Sequence, residues 1–194
     1  MKTIIRHSIL SGFLVGLGVM INTIADNRYA GAMLFSLALL VIIECGLQLY
    51  TGKIGFAGTV PAENLAVMLV GNLLGSAVPM LMVATQRPEV MEAMEAAADK
   101  KFSNTFPALF FYGCLCGALM FIAVYCKKML ITVFCIMVFI LSGYEHCIAD
   151  FPYLLLNFSM VNVLKYITII AGNSIGSIVI HYLMKKEEAS ETLY

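Results

Sequence analysis

The chain has 194 residues, 61% of them hydrophobic and 12% charged, with a formal net charge of zero. A mean hydropathy of +0.91 is too apolar for a soluble domain of this length, and the charge balance offers no bulk attraction for nucleic acid. The six cysteines lie within or beside apolar stretches, with neither zinc-type spacing nor a disulfide framework, so they read as small hydrophobes and no metal or cofactor is expected.

Crossing a hydrocarbon core takes about 20 apolar residues in a helix. The first candidate span, 8–24, is slightly short and follows Lys2 and Arg6. That arrangement resembles a secretory signal, but the apolar run is too long and lacks a small-x-small exit, so a span is expected. The second, 30–50, carries one charge, Glu44, and runs into Tyr50-Thr51-Gly52-Lys53, where Gly52, Gly55 and Gly58 permit a break. Span three covers 65–84. Residues 87–101 then mix Arg87 and Lys101 with Glu89, Glu92, Glu95 and Asp99, as an outer loop would. Span four is 106–126. The fifth region is divided, with 129–143 and 151–164 flanking a polar segment, and the sixth is 166–184. The expected fold is an all-α membrane protein of six transmembrane helices, with helices two and five broken.

Basic residues set the orientation. With the N-terminus inside, Lys2, Arg6, Lys127, Lys128, Lys185 and Lys186 all fall on the cytoplasmic side, in keeping with the positive-inside rule. Both termini are then cytoplasmic.

Two short motifs recur at matching places, Gly71-Asn72-Leu73-Leu74-Gly75 and Gly172-Asn173-Ser174-Ile175-Gly176. Each follows an interrupted span. A single transmembrane domain is therefore expected, with one repeat over 1–84, a second over 102–186, and a cytoplasmic tail at 187–194. Three spans per half make the second repeat inverted, an arrangement that places a site near the bilayer midplane between broken helices. The glycines of the motifs read as close helix packing by small residues; Asn72 and Asn173 fit interhelical hydrogen bonding and pore lining equally well.

The polar segment Gly143-Tyr144-Glu145-His146-Cys147-Ile148-Ala149-Asp150 carries the most information. It ends an uncharged run, 129–142, with a carboxyl, an imidazole and a second carboxyl. Ionisable groups at membrane depth are expensive and mark functional sites by default. The alternative for His146 is a buried ring satisfied by a backbone carbonyl. A broken helix also leaves backbone N–H groups free, which favours anions, and Lys53 adds positive charge at the first break.

At these residues the chain resembles the formate/nitrite transporter family, and the likeness covers nearly all of it. The family's G-F-E-H-S-I-A-N-M signature corresponds to residues 143–151, and its E-L-F-T-G-N break to Gln48-Leu49-Tyr50-Thr51-Gly52-Lys53. Gly12, Gly16 and Gly18 of span one and Ala171-Gly172-Asn173 match in order. The resemblance implies an aquaporin-like protomer, a homopentamer in a prokaryotic inner or plasma membrane, and one anion pore per protomer. On that resemblance His146 is the central pore histidine and Thr51 the break threonine facing it. Phe35 and Phe139 fall at an outer hydrophobic constriction, and Leu39, Leu49 and Tyr50 at an inner one. Lys101 matches the lysine ahead of span four.

The chain departs from the family where Lys53 and Asp150 each replace an Asn, Gln48 replaces a common acidic residue, and Gly117 replaces an Asn of span four. Lys53 and Asp150 sit at corresponding places in the two breaks, so they are expected to pair; the rival places Lys53 solvated at the cytoplasmic mouth. Glu145 is expected to hold the broken loop by accepting hydrogen bonds.

The expected function is a channel or transporter for small monovalent anions such as formate, nitrite or hydrosulfide. A bare anion loses its hydration in an apolar constriction, and His146 would compensate by a hydrogen bond or by donating a proton, so the partners are an anion, with or without a proton, and lipid. Two alternatives stand beside it. A cation or neutral-solute pore would use Glu44, Glu145 and Asp150. A membrane-embedded enzyme would use Glu145 and His146, but no second catalytic cluster accompanies them.

Overall fold

The computed structural model describes residues 1–185, so Lys186 and the expected tail at 187–194 lie outside the described residues. In chain order the helices are α1 (Lys2–Ile24), α2 (Arg28–Glu44), α3 (Tyr50–Lys53), α4 (Ala62–Val83), α5 (Pro88–Phe102), α6 (Phe106–Cys126), α7 (Met129–Ser142), α8 (Cys147–Leu156) and α9 (Met160–Met184). A 3-10 turn, Ile54–Phe56, continues α3. Among the described residues, five segments are long and apolar enough to cross a membrane, α7 and α8 counting together as one. The 17-residue α2 is shorter than these.

Small residues decide which helices touch. α1 lies along α4 and α6 along α9. At Gly75 an added Cβ would run into the Ile9 carbonyl, and at Gly176 into the Cys114 carbonyl. The motif glycines thus let backbones approach closely, the packing that helices use where lipid supplies no hydrophobic drive. On the outside, Met33, Leu37, Leu81, Met82, Phe111, Leu130 and Phe134 are all well exposed. An apolar surface of that extent needs a lipid or protein cover.

Two helices stop in the same way. Beyond α2, Gly46 takes φ +61; its N–H donates to Ile43 O at 3.1 Å and that of Leu47 to Ile42 O at 2.9 Å. Beyond α7, Gly143 takes φ +70; its N–H donates to Ile140 O at 3.1 Å and that of Tyr144 to Phe139 O at 2.9 Å. This is the Schellman arrangement, with glycine in the left-handed region a Cβ disfavours. The first break therefore begins at Cys45, earlier than the sequence reading that carried span two to residue 50. Tyr50 opens the new helix instead of closing the old one.

The region expected as a loop at 87–101 is largely α5. Pro88 at its first position and Glu89 in the first turn suit a helix start. Val90, Met94, Ala98 and Phe102, four residues apart, are its buried face. α5 packs against α1 and α8, and so delivers Lys101 to the second break.

Candidate functional site

The site is built where the two breaks meet. Asn72 is fully buried, and all its polar atoms go to backbone: Oδ1 accepts from Tyr50 N–H at 2.7 Å, and Nδ2 donates to Ser8 O at 2.7 Å and Gln48 O at 2.9 Å. Asn173 repeats this in the other half, accepting from Cys147 N–H at 2.8 Å and donating to Gly113 O at 2.8 Å and Glu145 O at 2.7 Å. Both N–H donors of each amide are taken, so neither has a donor left for a permeating anion. The pore-lining alternative for Asn72 and Asn173 is therefore corrected: they satisfy the backbone groups that a broken helix strands at depth. His181 adds a tether in the first half, hydrogen-bonding the Gly55 carbonyl while stacking on Phe121. It is tied into the protein.

Between these braces, Thr51 Oγ1 meets His146 Nε2 at 2.9 Å. The other ring nitrogen, Nδ1, accepts the N–H of Ala149 at 3.1 Å and caps α8. A backbone N–H is always a donor, so Nδ1 carries no proton here. The ring is the neutral tautomer with hydrogen on Nε2, donating to Thr51. The Thr51 hydroxyl then keeps its own hydrogen to offer elsewhere. Adding a second proton to the ring would set Nδ1–H against Ala149 N–H and break the cap. As it stands, the pair has one hydrogen free to donate, that of the Thr51 hydroxyl, and proton donation by the ring would require the cap to open.

Aromatic and aliphatic side chains close both sides. Phe35 and Phe139 meet edge to face with centroids 5.9 Å apart, and Phe139 stacks on His146 at 5.7 Å. Leu39, Leu49 and Tyr50 are buried, and the Tyr50 hydroxyl lies 2.8 Å from Ser174 Oγ. One cavity opens beyond Phe35 and Phe139 and is lined by Lys101 and Tyr153. A second opens beside Leu49 and is lined by Lys53 and Lys127.

Lys101 Nζ contacts the carboxylates of Glu145 and Asp150, the latter at 3.0 Å, and lies 5.5 Å from the centre of the Tyr153 ring. Burial works against the ammonium, but the Asp150 and Glu145 carboxylates outweigh it and hold Lys101 above the ordinary lysine value. Two expectations change here. Asp150 pairs with Lys101 and not with Lys53, which is in no ion pair among the described residues. α5 brings a nearer cation to Asp150, and Lys53 faces its own cavity. Glu145 holds the second break through its backbone carbonyl; its carboxylate binds Lys101.

Close-packed helices, two Asn-braced breaks and a buried polar pair flanked by apolar side chains are the features of a helical membrane protein. The sequence profile of the formate/nitrite transporter family matches residues 1–186, and the chain belongs to that family, one of transporters and not of enzymes. It is 28% identical to the nitrite transporter NirC of Salmonella typhimurium and 27% identical to NirC of Escherichia coli K12, each alignment covering 74% of this chain. The chain spans 64% of the length of these relatives. Among solved structures, an FNT family ion channel superposes with a TM-score of 0.77 at 24% identity, covering 92% of this chain and 87% of that one. A pentameric formate channel with formate bound gives 0.74 at 20% identity, covering 94% of each. With these likenesses and its membrane-spanning helices, the chain is an integral helical membrane protein.

Proposed function

We propose that this protein conducts small monovalent anions, formate, nitrite, hydrosulfide or a similar weak-acid anion, through a path centred on His146 and Thr51. The path passes from the Lys101 cavity, between Phe35 and Phe139, to the Thr51–His146 pair, and past Leu39, Leu49 and Tyr50 to the Lys53 and Lys127 cavity. The observation that carries this reading is the 2.9 Å contact between Thr51 and His146, which joins the two breaks between cavities that each hold lysine. Lys53 and Lys127 at one mouth raise the local concentration of anions, while at the other Lys101 offsets the carboxylates beside it. At the centre, the Thr51 hydroxyl hydrogen, which His146 leaves free by donating from Nε2, replaces part of the hydration that an anion sheds among apolar side chains. Six transmembrane helices follow if α2 and α3 together make one crossing, and the matched Asn braces support two inverted repeats, 1–84 and 102–186. Cytoplasmic termini follow from the lysines, and a homopentamer from likeness to the formate channel.

Proteoliposomes with an imposed potential test this over a panel of formate, nitrite, hydrosulfide, chloride and potassium. Anion flux is expected, with His146→Asn lowering it or changing its pH dependence. Cation flux would favour a pore using Glu44, Glu145 and Asp150, a reading weakened because the last two carboxylates are engaged by Lys101.

A further inference from the structure

We propose that Glu145 and Asp150 form a proton-binding site, holding one proton between two carboxylates that share the single Lys101 ammonium. The charge count requires a decision at this place. Glu145 and Asp150 side chains are each 3% exposed and Lys101 is 18% exposed, and both carboxylates contact the same Nζ. With every group ionised the cluster carries a net negative charge in a buried setting. Buried unbalanced charge is relieved by binding a proton, and two carboxylates sharing a site ionise together only with difficulty.

The atom that takes the proton is marked by its lack of a donor. Asp150 Oδ1 meets Lys101, while Asp150 Oδ2 is the buried side-chain polar atom with no hydrogen-bond partner among the described residues. A deprotonated buried oxygen wants a donor, and the groups that face it supply none. Tyr153 on α8 is the other titratable group beside Lys101, and its hydroxyl is 2.7 Å from Thr23 Oγ1 of α1. Tyr166 of α9 donates to the Cys147 carbonyl at 2.7 Å. His146 is engaged with Thr51 and Ala149, and the thiols of Cys116 and Cys147 face the cluster without hydrogen bonds to it. α4 carries one ionisable side chain, Glu63, which is exposed in its first turn. Protonated at Oδ2, Asp150 becomes a donor and the cluster becomes neutral.

The site adds a titratable element beside the path that is separate from His146. Its consequence for transport rests on the anion-path reading; its existence does not. With the proton bound, Lys101 balances one carboxylate, and the adjoining cavity presents no net negative charge. Loss of the proton leaves one excess negative charge at that mouth, which repels anions. Anion flux should therefore fall as pH rises through the titration of the pair, by about tenfold for one uncompensated charge at close range in a partly screened setting.

Infrared spectroscopy of the purified full chain in liposomes, with deuterium exchange, reads the proton directly between about pH 6 and pH 9, above the range in which exposed carboxyls hold protons. A protonated-carboxyl C=O band is expected in the natural protein. It should be absent from both Asp150→Asn and Glu145→Gln, because either change leaves one carboxylate to one ammonium. The two variants also guard against one failing to fold. No such band in the natural protein over that range would overturn the proposal, and so would a band that survives in both variants. Flux measured on the same liposomes should lose its pH dependence over the titration range in Asp150→Asn. A band that behaves as expected beside a pH-independent flux supports the proton site and overturns its coupling to transport. The same band with no anion flux at all supports the site and fails the anion reading.

Discussion

Gly46 and Gly143 end their helices with the same pair of hydrogen bonds, and Asn72 and Asn173 then hold the next helix start through its first N–H. After three residues, however, the first break presents Leu49 and the second His146, and three residues beyond α3 and α8 begin stand Lys53 and Asp150. The first break has no side-chain cap, whereas His146 caps the second. Among the described residues, only the second is tied to an ion cluster, through Lys101. The difference teaches which parts of a broken helix are constrained. Stranded backbone groups at membrane depth must be satisfied, and that need is met identically in both halves. Side chains beyond the brace are free of it, and there the halves divide into an apolar lining and a polar centre.

Removing Lys101 should break the comparison most. Lys101→Ala leaves the buried Glu145 and Asp150 pair without its cation, which should cost about 3–5 kcal/mol, the usual penalty for stripping one partner from a buried ion pair. Thermal unfolding in detergent micelles measures it, and an unchanged midpoint would show the cluster to be solvated. The raised value of Lys101 has a definite sign. The cluster's stabilisation is complete below the ordinary lysine value of about 10.4 and is lost as pH rises through the higher folded value, so Lys101→Ala should remove that alkaline dependence.

The shared brace predicts equal losses. Asn72→Ala and Asn173→Ala should each destabilise by about 1–3 kcal/mol, chiefly for the Tyr50 or Cys147 N–H left without an acceptor. Both should act alike, and a marked difference would mean that one break has a second support. Smaller again, Gly46→Ala and Gly143→Ala should each cost about 1–2 kcal/mol, the penalty for a Cβ in the left-handed region. Nothing lies within 4 Å of the added atom at either site, so no clash contributes. Least of all, Lys53→Ala should change stability by no more than about 0.5 kcal/mol, as befits a charge outside any ion pair, while lowering anion flux. If Lys53→Ala instead matches Lys101→Ala in lost stability, the contrast between the two breaks fails.

Much of this architecture is legible in the chain itself. Long apolar runs must seek lipid, the Gly-Asn-x-x-Gly motifs are short and local, and an ionisable trio at the end of an uncharged run stands out without coordinates. The Val90, Met94, Ala98, Phe102 spacing also carries α5, but charges between those residues disguise it as a loop. Gly46 is similarly readable as a helix stop once paired with Gly143. What the sequence leaves open concerns partners. Asn72 and Asn173 suit a pore and a brace equally by residue type; only their distances to stranded N–H and C=O groups separate the two. Lys53 and Asp150 align by repeat, but an ion pair depends on reach, and α5 sets Lys101 nearer. The tautomer of His146 likewise follows from Ala149 N–H pointing at Nδ1. Hydrophobic length and small-residue spacing act along the chain, so the sequence determines spans, breaks and family; charge pairing and proton placement act across space, so the tertiary structure alone decides them.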